Sequence, residues 1–222
     1  IGSSGLPMPG YDLKILGEGG EEVARGDLGA VCIKLPLPPG TFPTLWNAPE
    51  RYLKSYMTAF AGYYETGDAG MMDEDGFLYI MARTDDVINV AGHRLSTGQM
   101  EEVLAGHADV AECAVVGVAD DLKGQLPMGF LCLNSGCNRP HAEIVRECVG
   151  KVRAEIGPVA AFKLACVIDR LPKTRSGKIL RGTMAAIADG RDWKMPATID
   201  DPVILDEIAA ALRGIGYPPS GG

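Results

Sequence analysis

Leu171-Pro172-Lys173-Thr174-Arg175-Ser176-Gly177-Lys178-Ile179-Leu180-Arg181 holds four cations and no acid, and Arg170 immediately before it makes five. The chain around it is acidic, with a formal net charge of -8 over 222 residues. The run lies between Leu164 to Ile168, which reads as a strand, and a stripe of Leu180, Met184 and Ile187, which reads as a helix ending near Gly190. A charge run is most often a solvated face. This one sets Lys178 near a helix N-terminus, where a cation opposes the helix dipole at a cost of about 0.3–1 kcal/mol. A bound anion reverses that sign, because backbone N–H groups and cations then converge on it. The pattern is not a P-loop: Pro172 stands where G-x-x-x-x-G-K-[ST] needs its first glycine, and Ile179 where it needs a hydroxyl. Lysine, a mobile point charge on a long stem, suits a charged substrate that changes during reaction.

Upstream of this turn the texture is regular. His141 to Ile156 carries Ile144, Val145, Cys148, Val152 and Ile156 on one helical face and is closed by Gly157-Pro158. Val110 to Val118 and Met128 to Leu133 read as strands, as does Val87 to Val90. Ser96 and Gln99 have capping-box spacing, ahead of a helical stripe at Met100, Val103, Leu104 and His107. From Asp85 onward the order is therefore β-α-β-β-α-β-α, an α+β domain, with a tail helix over Pro202 to Arg213 and a disordered end from Pro218. Residues 1–84 read as a small β-rich unit. Tyr11 to Leu16, Gly29 to Leu35 and Gly76 to Met81 are its strands, Pro49 to Tyr56 is a short helix, and Leu35 to Gly40 is a proline-rich loop. The division expected is 1–84, 85–198 and a tail 199–222.

Composition sets limits. Hydrophobic residues are 46% and charged residues 23%, ordinary for a globular chain. No apolar run approaches the roughly 18 residues of a membrane helix, and an acidic chain lacks the basic face that nucleic acid needs. Neither membrane nor nucleic acid is expected as a partner. The six cysteines form no C-x-x-C pair and read as reduced, buried thiols of a reducing compartment.

Other polar groups complement the basic turn. Tyr64-Glu65-Thr66-Gly67-Asp68 places a carboxylate after a glycine, in what reads as a turn, where it can accept hydrogen bonds from a ribose diol. Arg83-Thr84-Asp85-Asp86 follows a strand directly. Gly92-His93-Arg94 sets a cation beside a glycine that lets a ligand approach the backbone. His93 reads as a structural hydrogen bonder beside Arg94, and His107 as a core or capping histidine.

In this order these segments, with Val152-Arg153-Ala154-Glu155-Ile156-Gly157-Pro158 and the basic turn, resemble the C-terminal part of the acyl-adenylate-forming enzymes. Within them the chain is similar to the short-chain acyl-CoA synthetases, acetyl- and propionyl-CoA synthetases. The tail Met195 to Pro202 resembles the propionyl branch. The resemblance covers nearly the whole chain. It implies an AMP-forming acid–thiol ligase in which a short-chain carboxylate, propionate before acetate, attacks ATP, and coenzyme A then takes the acyl group. It implies catalysis by Lys178, which is also an acylation target, and nucleotide contacts from Asp68, Arg83 and Arg94. It further implies coenzyme A contacts from Ala91, Gly92 and Arg153, with Asp85 as the hinge of a mobile domain. A magnesium ion is implied at Ala105, His107 and Val110, besides the Mg2+ that accompanies ATP.

Two departures are visible: Ala91 stands where acetyl-CoA synthetases usually have serine, and Gly182 where many relatives have a second arginine. The family's phosphate loop and acyl-pocket motif are expected upstream of Ile1, in the large domain that would be this chain's partner, so the chain alone is expected to be inactive. The setting implied is the cytoplasm, or the mitochondrial matrix in a eukaryote. Alternatives at this point are an adenylation domain of a peptide synthetase or luciferase-like enzyme, and a non-catalytic nucleotide- or CoA-binding module.

Overall fold

The computed structural model describes residues 2–218, with Asp85 described in its backbone alone. The expected disorder from Pro218 falls, beyond that residue, outside the described part. The chain is a mixed α+β protein that divides into two compact units between Asp85 and Asp86.

The first unit is an antiparallel sheet in the order β1 (Leu13–Leu16), β2 (Gly29–Lys34), β3 (Tyr63–Met72), β4 (Leu78–Arg83), with helix α1 (Pro49–Tyr56). Pro49 opens α1, where its missing N–H costs nothing. Strand β3 corrects the turn expected at Tyr64 to Asp68. Its glycines and acids look like turn residues but serve close packing: a Cβ on Gly70 would sit 2.5 Å from the Tyr79 carbonyl oxygen, and one on Gly67 2.5 Å from Arg83 Nη2. A bulge between Ala69 and Gly70 keeps Asp68 opposite Arg83.

The second unit is a sheet with helices on both faces. Strands β5 (Val87–Val90), β6 (His93–Ser96), β7 (Val110–Asp120), β8 (Gly124–Leu133) and β9 (Leu164–Val167) run in the order β6-β5-β8-β7, with β9 parallel to β8. Helices α2 (Thr97–Ala105) and α3 (His141–Glu155) cover one face, and α4 (Arg181–Ala188) and α5 (Val203–Gly214) the other. The period-2 alternation of β7 dictates this arrangement. Ala114, Val116 and Val118 join Met184, Ile187 and Ile208 in one core, while Cys113 and Val115 join Met100, Leu104, Ile144 and Cys148 in the other. Phe130 is fully buried in the first, worth about 2–3 kcal/mol relative to exposure.

Strand β6 was not expected; His-Arg-Leu-Ser has no strand composition, and it forms because a tight turn at Ala91-Gly92 folds it back on β5. The capping box at Ser96 is not made. Ser96 ends β6 opposite Val87, is buried, and gives α2 no side-chain cap. Among the described residues no helix is long and apolar enough to cross a membrane.

Candidate active site

In the first unit Asp68 and Arg83 meet. They are register partners across β3 and β4, with Arg83 Nη1 3.2 Å from Asp68 Oδ1. Thr66 Oγ1 donates to the Val31 carbonyl at 2.7 Å and accepts the Asp68 N–H at 3.1 Å, so the peptide carrying the carboxylate is held from behind. Thr84 Oγ1 donates to the Gly67 carbonyl at 3.2 Å. Asp68 stays about one-third exposed, so a carboxylate that accepts from Arg83 retains lone pairs for a diol.

In the second unit the β5–β6 turn carries Ala91 at φ 51° and Gly92 at φ 88°, the pairing that a two-residue hairpin turn of primed type requires. The turn is pinned twice: Gly92 N–H donates to Asn89 Oδ1 at 3.0 Å, and Ala91 N–H to the Lys123 carbonyl at 2.9 Å. Arg94 is half-buried on β6, opposite Asn89. His93 is exposed, and its ring makes no hydrogen bond among the described residues, contrary to the structural role expected for it.

Lys123 also leads to Arg153. A cavity of about 260 Å³ is lined by Lys123, Arg153 and Lys163 around Gly157, Pro158 and Phe162. None of the three cations has an acidic partner among the described residues. The sequence reading found Arg153 alone. Lys123 and Lys163 lie 30 positions before and 10 after it, and only the fold brings them together.

The basic turn is a hairpin. Lys173 and Ile179 form an isolated bridge, Thr174 N–H donates to the Lys178 carbonyl at 2.8 Å, and Lys178 N–H donates to Thr174 Oγ1 at 3.1 Å. Its charges divide in two. Arg170 pairs with Asp201 and Glu207, Lys173 with Glu112, and Arg181 with Glu101. Arg175 and Lys178, at the exposed tip, have no acidic partner among the described residues. Lys178 lies near a helix N-terminus, as expected, two residues before Leu180, the N-cap of α4. Arg181 opens the first turn of α4 and is neutralised there.

Residues 99–178 match the family of the AMP-binding enzyme C-terminal domain. Over 212 residues the chain is 54% identical to an uncharacterised protein of Pseudomonas aeruginosa and 47% identical to the mitochondrial acyl-CoA synthetase short-chain family member 3 of mouse. The chain carries an AMP-binding enzyme C-terminal domain and is similar over nearly its whole length to the C-terminal part of short-chain acyl-CoA synthetases. Each alignment covers 96% of this chain but 34% and 31% of the relative, so the chain spans about a third of the curated relatives it matches. The acetoacetyl-CoA synthetase of Streptomyces lividans has the same fold, with a TM-score of 0.81 over 97% of this chain and 32% of that one at 21% identity.

Against this AMP-binding enzyme framework the magnesium site at Ala105, His107 and Val110 can be tested. His107 Nδ1 accepts the Asp109 N–H at 3.2 Å, and Nε2 lies 3.0 Å from Glu147 Oε2, so neither ring nitrogen offers a lone pair to a cation. The acids beside it are paired with arginine: Arg139 Nη1 is 2.7 Å from Asp109 Oδ2, and its Nη2 2.5 Å from Glu147 Oε1. The His107 carbonyl accepts the Val110 N–H at 3.1 Å. His107, Asp109 and Glu147 bring ligand atoms within 4.8 Å of one another, a spacing that could hold a metal ion, but Arg139 already lies among them as the cation of an ion-pair network; Ala105 and Val110 could offer a metal only their backbone carbonyls.

Proposed function

We propose that this chain is the AMP-forming part of a ligase that joins a short-chain carboxylic acid to coenzyme A through an acyl-adenylate. The observation that carries the reading is the division of charge in the basic hairpin. Three cations are neutralised where they stand, while Lys178 and Arg175 are presented uncompensated at the tip of a chain of net charge -8. Such a tip is suited to an anion brought to it. A carboxylate approaching a triphosphate is repelled, and a cation at ~4 Å offsets about 4 kcal/mol per pair at an effective dielectric near 20.

In this reading Lys178 bridges the substrate carboxylate and the α-phosphate of ATP and stabilises the charge of adenylation. Asp68 accepts from the ribose hydroxyls, with Arg83 holding it in place and offering a second contact. Arg94 meets phosphate, and Mg2+ accompanies the phosphates of ATP. For the second step, the Ala91-Gly92 turn lets the pantetheine arm pass close to backbone, and Arg153 takes the phosphates of coenzyme A. The three unpaired cations of the Arg153 cavity support that role, as does the pinning of Ala91 by Lys123 at its edge. The division of the chain at Asp85–Asp86 supports a hinge there, with residues 1–84 ending a larger domain and the second unit moving between the two steps. Acylation of Lys178 would remove the adenylation charge.

Propionate is the acid favoured, then acetate, on the resemblance of the tail segment Met195 to Pro202. The name of the mouse relative supports short-chain acids, and its mitochondrial setting is the one proposed for a eukaryotic source; the cytoplasm is proposed otherwise. The chain alone is expected to be inactive. The test is Lys178→Gln in the full-length enzyme. Adenylation, read as ATP–pyrophosphate exchange with propionate, should fall about 10²–10³-fold. Transfer of a preformed propionyl-adenylate to coenzyme A should persist. Unchanged exchange would overturn the reading.

A further inference from the structure

Strand β9 is paired with β8 along one edge, and among the described residues no strand pairs with the other. Ala165 packs in the core beneath α3 and Cys166 in the core beneath α5, so these helices flank the strand on opposite faces. A cavity of about 620 Å³ is lined by both helices and by Ala165, Cys166 and Val167 in succession. A space touched by consecutive strand residues and by helices from both faces lies along the strand's open edge. Val145 and Val149 of α3, and Ala211 and Ile215 at the end of α5, form its apolar walls. Its polar lining is His141, Arg146 and Lys163; no carboxylate lines it, and neither Arg146 nor Lys163 has an acidic partner among the described residues.

An exposed strand edge is a template for another strand, whose main-chain hydrogen bonds give affinity while alternate side chains fill pockets. Cations that only guard an edge against self-pairing need no apolar trough beside them. A second copy of this chain would bring Arg146 and Lys163 against their own like charges. A small carboxylate would answer the cations but leave the strand edge unpaired. We propose that the β9 edge is a docking site for an extended peptide segment of a partner protein, in which acidic and apolar side chains alternate. Four residues at ~3.3 Å each would span the strand. Its acidic side chains would turn to the α3 face, toward Arg146 with Lys163 at the start of the strand, and its apolar ones to the α5 face, against Ala211 and Ile215.

The probe is a fluorescein-labelled hexapeptide alternating Glu and Val, titrated into the ¹⁵N-labelled chain. Binding should shift the amides of residues 164–167. It should weaken at least tenfold when the peptide is N-methylated on its pairing edge, and again in Arg146→Glu/Lys163→Glu. That exposed double variant keeps the fold and should prefer a peptide alternating Lys and Val. Any of several results would overturn the proposal. These are equal binding of acidic and basic peptides by the unaltered chain, indifference to N-methylation, shifts confined to other residues, and absence of binding at millimolar peptide. Octanoate shifting the same amides where the peptide does not would assign the groove to a small amphipathic anion instead.

Discussion

Arg181 clasps Glu101 with two nitrogens, Nη2 at 2.9 Å from Oε2 and Nε at 3.2 Å from Oε1. Glu101 Oε1 also accepts the Val115 N–H at 2.8 Å, and Arg181 Nε is 4.0 Å from Asp86 Oδ1. One half-buried carboxylate therefore ties α2 and β7 to the first residue of α4, three positions beyond Lys178. Glu101→Ala strands the Val115 N–H and leaves the guanidinium only Asp86, at 4.0 Å, and should cost about 3 kcal/mol. Arg181→Ala leaves Glu101 its backbone partner and should cost roughly 1–2 kcal/mol. Urea unfolding of the two variants measures the order; equal losses would contradict the shared role of Glu101.

Lys178 should matter little to stability. Its side chain is exposed and unpaired among the described residues, so Lys178→Gln should change the unfolding free energy by less than about 0.5 kcal/mol. Thr174→Ala, by contrast, removes the acceptor for the Lys178 N–H and should cost about 1 kcal/mol, because this bond helps close the hairpin. A marked loss of stability in Lys178→Gln would show that the lysine is a structural element.

How much of this was legible follows the range of the interactions. Helices α3 and α4 and strand β7 carry their periodicities in a few consecutive residues, and the structure has them where the spacing puts them. The candidate cations stood out because a local run broke an acidic background. What neutralises three of those cations was not legible. Glu112, Glu207 and Glu101 lie 61, 37 and 80 positions from their partners, and only the packed sheet brings them together. Strand β3 was hidden for the opposite reason: Gly67 and Gly70 have turn chemistry, yet each makes room for a group on β4. The capping box at Ser96 failed because strand pairing claimed the residue first.

The β5–β6 turn makes a paired prediction. Ala91 sits at φ 51°, a left-handed conformation that costs an L-residue about 1–2 kcal/mol. Ala91→Gly relieves it, and after the greater unfolded-state freedom of glycine is deducted it should stabilise the chain by about 0.5 kcal/mol. Gly92→Ala, at φ 88°, should destabilise by about 1 kcal/mol or more. Thermal unfolding of the two variants should move in opposite directions; a shift of the same sign in both would refute the turn geometry.

The thiols give a solution test of burial. Burial pushes Cys32 and Cys113 up to about 12, and Cys132, Cys148 and Cys166 up to about 11, so none has appreciable thiolate near neutral pH. Cys137 is the one free cysteine that is not buried. A disulfide reagent at pH 8 should therefore titrate one thiol in the native chain and six after denaturation. Two or more fast thiols in the native state would show that the cores open.

Acid should unpick the network around Arg139. The Arg139 guanidinium, with His107 beside it, holds the Glu147 carboxyl down to about 2 from an ordinary value of 4.5. A carboxyl whose folded-state value is depressed binds its proton more readily in the unfolded chain. Its contribution to stability is thus fully present above about 4.5 and is lost as the pH falls from there toward about 2. Asp201 is lowered in the same sense by Arg170, so two separate arginine sites weaken over the acid range. Stability measured by urea unfolding from pH 6 to pH 2.5 should decline, and Glu147→Gln should flatten part of that decline while lowering the plateau at neutral pH. The exposure of the pair limits the effect, and salt should shrink it further. A pH profile of Glu147→Gln parallel to that of the unaltered chain would show that the carboxylate–guanidinium bonds contribute nothing in solution.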